Sequence, residues 1–137
     1  MVSGIGVDLC SISRIEHALQ SEHFKENVFS LREIAYAENR GKKKYESYAS
    51  CYAAREAFIK AARLSLGVVM LGRNFELVRD EEGAPAIRLS GDLEERYPEG
   101  RAKIFVSITH EGDYSCAMVV IETINEVISN DNSDAGF

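Results

Sequence analysis

The sequence predicts an α+β fold, a mainly antiparallel sheet packed on one long helix. Three observations predict it. From Lys42 to about Leu66 there is neither proline nor glycine, alanine is abundant, and Tyr45, Ala49, Tyr52, Glu56, Ile59 and Lys60 recur at helical spacing. Two pairs of strand-like runs in the second half flank polar, glycine-bearing turns, as in hairpins. A short alternating run opens the chain, ahead of every helical segment.

Each element has its own local reason. Ser3 to Leu9 alternates Ile5 and Val7 with small or polar neighbours and reads as a strand ending at Asp8. Ser11 or Ser13 then caps a helix with Ile12, Ile15 and Leu19 on one face. Phe24 to Phe29 is a connection or short helix. Ser30 followed by Glu33 is a capping box, opening a helix through about Asn39 that Gly41 breaks. The long helix follows and stops near Gly67. Phe75–Arg79 and Ala86–Leu89 form a hairpin around Asp80–Pro85. Asp92 to Tyr97 is a short polar helix before Pro98. Ile104–Thr109 and Tyr114–Ile121 form a second hairpin around His110–Asp113.

With 137 residues, 45% of them hydrophobic, the chain suits one compact domain with a modest core. Residues 1–122 are expected to form it, with 123–137 a C-terminal extension ending in a disordered tail from Ser129, polar and acidic. The 16 basic and 22 acidic side chains leave a formal charge of −6, which argues against a general nucleic-acid binder. Cys10, Cys51 and Cys116 are widely spaced and odd in number, so they read as free thiols of a reducing cytoplasm. No apolar run is long enough to span a bilayer, and no signal peptide is evident. A cytoplasmic location, away from membranes, is therefore expected.

The residues that could carry chemistry are few. Asp8, at a strand end, reads first as the cap of the following helix and second as a functional carboxylate. Glu56 sits in an otherwise small and apolar helical stretch, four residues before Lys60 and four after Tyr52. The bland reading is a surface ion pair with Lys60. The functional one is a site approached closely across Ala53, Ala54, Ala57 and Ala61. Two separated carboxylates, completed by water and phosphate oxygens, are a common way to hold magnesium. His110 follows a β-run at the mouth of a hairpin and is either a solvated side chain near a turn or part of a site. The basic run Arg40, Lys42, Lys43, Lys44 is a solvated helix start or an anion-binding edge. Tyr45, Tyr48 and Tyr52 have helical spacing and read as packing.

Three segments then occur in order: Gly4-Ile5-Gly6-Val7-Asp8, Tyr52-Ala53-Ala54-Arg55-Glu56-Ala57-Phe58-Ile59-Lys60-Ala61, and Val106-Ser107-Ile108-Thr109-His110. Together they resemble the holo-acyl-carrier-protein synthase family, the small bacterial class of 4′-phosphopantetheinyl transferases, from about Met1 to Glu122. The resemblance implies magnesium-dependent transfer of 4′-phosphopantetheine from coenzyme A to a serine of an apo-acyl carrier protein. It also implies a homotrimer with active sites at subunit interfaces. Asp8 and Glu56 would be the magnesium ligands, with Glu56 and Lys60 catalytic. Lys43, Lys44, Lys60, Gly83, Pro85, Thr109 and His110 would bind coenzyme A, and Arg14 would meet the acidic carrier helix.

The sequence departs from the family pattern at several places. Cys51 stands where an arginine is common, Arg55 where a lysine is, and Ala84 precedes Pro85 in place of lysine. The run Ala62–Leu66 carries no glycine, so the long helix is expected to extend through it. These departures bear on coenzyme A contacts. The alternative they suggest is a catalytically weak or inactive coenzyme A- and carrier-binding homologue.

Overall fold

Ten strand residues, Val2–Ser11 (β1), open the computed structural model, which describes residues 1–65 and 67–124. Three short helices follow, Ile12–Ala18 (α1), Glu22–Val28 (α2) and Leu31–Glu38 (α3). A single 3₁₀ turn, Gly41–Lys43, leads into the long helix Lys44–Ala62 (α4). Then come Val68–Leu71 (α5), Phe75–Arg79 (β2), Pro85–Leu89 (β3), Gly91–Arg96 (α6), Ala102–Glu111 (β4) and Tyr114–Thr123 (β5). Both sheets are antiparallel: three strands in the order β1-β5-β4, and the hairpin β2-β3. The α+β class expected from the sequence is the class observed. The disordered tail expected from Ser129 lies outside the described residues, as does all but the first two residues of the 123–137 extension.

Four boundaries differ from expectation. β1 runs past Asp8 to Ser11, because its ladder to β5 continues to the Ser11–Tyr114 pair. Asp8 therefore lies within a strand and caps nothing. The cap of α1 is Ser11, whose Oγ accepts from the Arg14 N–H. α4 starts at Lys44 after the 3₁₀ turn and stops at Ala62, not near Leu66. Its cap is Arg63, the one non-glycine described residue at positive φ, at 57°. A side chain is thus held where glycine is usual, and nothing in Ala62–Ser65 announces it. β4 continues to Glu111, so His110 is a strand residue paired with Ser115, and the turn is only Gly112–Asp113.

α4 is the centre of the molecule. Buried residues lie on every side of it, among them Ala49, Ala53, Ala57, Phe58 and Ala61. That is the signature of an enclosed helix rather than an amphipathic one. Past its polar first turn, the only positions not buried are Tyr52, Glu56 and Lys60, one stripe at i, i+4, i+8.

The strand packed against that stripe is brought close by two glycines. A Cβ at Gly4 would collide with the carbonyl oxygen of Ala61, and one at Gly6 with that of Ala57. Neither neighbour can move, since both are helix backbone. Gly4-x-Gly6 is therefore a contact motif, which lets β1 lie directly on the alanine face of α4 and sets Asp8 beside Glu56 and Lys60. Gly6→Ala is expected to destabilise the fold by about 3 kcal/mol, the upper range for overpacking a rigid contact. Urea unfolding would read it, and a loss below about 1 kcal/mol would mean the strand can back away freely.

The outer face of the three-stranded sheet is apolar and uncovered. Ile5, Val7 and Leu9 of β1 point away from α4, and Met118 and Phe105 join them across the ladder. All five are exposed, Ile5 by 65%.

Candidate functional site

Asp8, Glu56 and Lys60 come from two elements that the glycine contact forces together. The Lys60 ammonium donates to the Val7 carbonyl at 3.0 Å and to Asp8 Oδ1 at 3.2 Å. Lys60 is half-exposed and the Asp8 side chain is 18% exposed, so the pair sits at a mouth rather than in the core. The surface ion pair of the bland reading thus gives way to a bridge between helix and strand. Burial first, and the Asp8 charge second, raise the Glu56 carboxyl above the usual carboxylate range, while Lys60 and the Tyr52 hydroxyl act the other way. Two carboxylates press on one another here with a single ammonium beside them.

Hard oxygen donors with surplus negative charge fit a magnesium ion, which takes one or two carboxylates and completes its shell from water and phosphates. Among the described residues no group of three or more His, Cys, Asp or Glu side chains could hold a metal, so any ion here depends on such outside ligands.

Arg14 lies across a cavity of about 220 Å³ lined also by Leu9, Ile15, Ala18, Phe24 and Tyr52. Apolar and polar groups line it together, Cys10, Ser11 and the Arg14 guanidinium among the latter. Tyr52 thus links it to the carboxylate pair, with its ring against Phe24 at 6.3 Å. Tyr48 is core, 4.9 Å from the Phe29 ring, as its spacing suggested.

The remaining expected site residues gather elsewhere. His110 Nδ1 is 3.3 Å from Glu46 Oε2 in the first turn of α4. Lys43 is exposed and precedes that turn, and Lys44 pairs with Glu38 at 3.4 Å. Gly83, at φ 87°, sits in a tight turn where Asp80 Oδ1 accepts from the Glu82 and Ala84 N–H groups, both at 2.8 Å. Pro85 pairs with Arg79, whose guanidinium shares the Tyr36 ring with Arg40. Hairpin, basic run and His110 are thereby tied to the start of α4. Thr109, beside His110, faces the outer side with Cys116. Glu46 and Glu56 are ten positions apart, about 15 Å along a helix. One chain therefore holds the carboxylate pair and the cationic edge well apart on the same helix.

Glu38 ties this edge together. It accepts from the Tyr48 hydroxyl at 2.7 Å and pairs with Lys44 and Lys25. The Tyr48 hydrogen bond first, then Lys44, pull its carboxyl below the usual range, with burial opposing. A lowered folded-state pKa means this stabilisation is complete above the ordinary glutamate value of about 4.3 and fades as pH falls through the lowered one. Wild type is thus expected to be more stable than Glu38→Gln at neutral pH, with the gap closing on acidification. Denaturant unfolding of both from neutral pH down to the acid range checks the sign, and a gap that widens would reverse it.

Two departures from the family pattern turn out to be core. Cys51 is buried, with burial pushing its thiol well up. Arg55 is wholly buried and paired with Glu33. Sequence reasoning took Glu33 only as a capping-box residue and missed this pair. The available signal was an arginine inside an alanine-rich helical run, which needs a buried acid. Asp113 was missed as well. Its carboxylate accepts from Ser11 Oγ at 2.8 Å, Ser13 Oγ at 2.7 Å and the Ser13 N–H at 3.0 Å.

Comparison with known proteins gives one answer. A family model of the 4′-phosphopantetheinyl transferase superfamily matches residues 4–119. A holo-[acyl-carrier-protein] synthase of Ruminiclostridium cellulolyticum is 39% identical over 120 residues, 85% of this chain and 90% of that protein. Another from Methylobacterium sp. is 38% identical over 133 residues, 92% of this chain and 98% of that one. Among solved structures, the synthase of Neisseria meningitidis superposes with a TM-score of 0.76 at 28% identity, covering 90% of this chain and 100% of that one. The coenzyme A complex of the Chronobacterium ammoniagenes enzyme gives 0.75 at 28% identity, over 89% of this chain and 98% of that one.

Proposed function

The chain belongs to the holo-acyl-carrier-protein synthase family of 4′-phosphopantetheinyl transferases, and from that premise we propose that it moves 4′-phosphopantetheine from coenzyme A to a serine of an apo-acyl carrier protein. The observation that carries the reading is the convergence of Asp8, Glu56 and Lys60 at one mouth, forced by the contact of Gly4 and Gly6 with α4.

Asp8 and Glu56 are the residues that would hold magnesium. Bound there, the ion would supply Lewis-acid neutralisation of charge gathering on the diphosphate. Lys60 adds a compact positive charge for the same oxygens. The carrier serine oxygen attacks the phosphorus next to the pantetheine arm, and its proton passes to Glu56 or to a water held at the site. The bond from that phosphorus to the bridging oxygen breaks, and adenosine 3′,5′-bisphosphate leaves. Lys43, Lys44, Gly83, Pro85, Thr109 and His110 bind the nucleotide end of coenzyme A. Arg14 and the cavity beside it receive the acidic carrier helix.

The separation of these groups along α4 supports a site shared between subunits. The uncovered apolar face around Ile5, Val7, Leu9, Phe105 and Met118 supports a homotrimer that buries it. Residues 1–122 act as one transferase domain. Three free cysteines suit a cytoplasmic setting, and among the described residues no helix is long and apolar enough to cross a membrane.

Incubation with apo-carrier, coenzyme A and magnesium tests the reading by intact-protein mass. A gain of one phosphopantetheine group on the carrier is expected. No gain with any of several carriers would overturn the activity and leave the inactive-homologue reading. Release of adenosine bisphosphate without a carrier would point to a hydrolase instead.

A further inference from the structure

We propose that Asp113, on the two-residue turn between β4 and β5, is the positioning residue that sets α1, and with it Arg14, for carrier docking. The inference rests on the transfer reading above and deepens it at the carrier side.

α1 is poorly held by its own means. It has seven residues, of which only Ile15 is buried. So short a helix has little stability of its own and takes its direction from whatever fixes its ends. Asp113 fixes the N-terminal end. One carboxylate oxygen accepts from the Ser13 N–H, and the other from the hydroxyls of Ser11 and Ser13. The Asp113 carbonyl accepts from the Ile12 N–H at 2.7 Å. Ser11 Oγ then accepts from the Arg14 N–H at 3.3 Å. Three consecutive residues, Ser11 to Ser13, are thus gripped by one residue about a hundred positions away, and the next residue is Arg14.

The grip costs more than a local cap would require. Ser11 alone already provides the ordinary N-cap. Asp113 adds contacts from a different hairpin, the one that carries Thr109 and His110 on β4. Gly112, at φ 57°, makes the turn that aims it. The start of α1 is consequently anchored to the Gly112–Asp113 turn.

Direct binding tests this without relying on catalysis. Affinity for a labelled apo-carrier and for coenzyme A are measured separately on Asp113→Ala, Asp113→Asn, Arg14→Ala and Arg14→Ala/Asp113→Ala. Asp113→Ala is expected to weaken carrier binding about five- to tenfold, the scale of lost charge-assisted hydrogen bonds. Coenzyme A affinity should stay within about twofold, because the loss is local to α1. Asp113→Asn, which still accepts from the Ser13 N–H and can donate to the serine hydroxyls, should restore most of the loss. Arg14→Ala should cost less on the Asp113→Ala background than on wild type, since the helix is already misplaced. Equal weakening toward both ligands, unchanged carrier affinity, or strictly independent effects would overturn the proposal. A wild-type protein that binds carrier but transfers nothing would sink the transfer reading and leave this comparison decisive. One that binds no carrier would sink both.

Discussion

Asp8→Ala is expected to lower carrier modification by about 10²–10³-fold, with Glu56→Gln close behind. Neutralising charge on a transferring phosphoryl group is worth several kcal/mol, and each 1.36 kcal/mol is a factor of ten. On the proposed reading, removing one of the two carboxylates would leave the ion a single protein ligand. The loss should be greatest at limiting magnesium, where affinity for the ion adds to the deficit. Stability should move the opposite way or not at all. Burial and the Asp8 charge already disfavour ionised Glu56, so Glu56→Gln relieves a penalty. The Asp8–Lys60 pair is partly exposed and contributes little to folding. Activity lost while the melting temperature holds is the signature of a site kept at the expense of stability. Transfer rates across a magnesium titration, beside thermal melts of the same preparations, separate the two. Full activity of either variant at limiting magnesium would remove the pair from the mechanism.

The second large effect is expected far from solvent. Glu33→Ala should destabilise the fold by about 3–5 kcal/mol, because it strands the Arg55 charge in the core. Both side chains are wholly buried. Glu33 accepts from the Arg55 guanidinium, from the Ser30 N–H at 2.8 Å and from the Leu77 N–H at 2.8 Å. Arg55 also donates to the Phe75 carbonyl at 3.0 Å and lies between the Phe29 and Phe75 rings. One ion pair therefore ties α3, α4 and β2 together. It also fixes the rotation of α4 one residue from Glu56, which keeps the Tyr52–Glu56–Lys60 stripe facing β1. A Glu33→Leu/Arg55→Met double variant should recover only part of the loss, since the Ser30 and Leu77 N–H groups still lack their acceptor. Denaturant unfolding checks both variants, and a single-variant loss under about 1 kcal/mol would contradict the pair's structural weight.

Local pattern revealed much of this protein. The central helix was visible because the twenty-five residues from Lys42 to Leu66 contain neither glycine nor proline and are rich in alanine, and the Ser30–Glu33 capping box appears as read. Both hairpins were visible from their turn residues. Boundaries were less legible, for particular reasons. Alternation stops near Leu9, yet the ladder to β5 carries β1 on to Ser11. Helix-forming residues continue past Ala62, yet Arg63 turns left-handed. Gly4-x-Gly6 is too short to signal a phosphate loop. Its meaning lies in the helix backbone opposite, which the sequence places more than fifty residues away.

By itself, then, the sequence determined the fold class, the long helix and the short list of ionisable residues worth attention, Asp8, Glu56 and Lys60 first among them. The fold class and the helix follow from composition and local pattern, whereas the three ionisable residues were singled out by the resemblance that three ordered segments carry. Only the tertiary structure decided that Lys60 reaches Asp8, that His110 stands at the other end of α4, that Arg55 belongs to Glu33, and that Asp113 holds α1. Each of these is a pairing between distant residues. Such pairings depend on how closely two backbones can approach and which side chains that approach leaves without water, and no local period records either quantity.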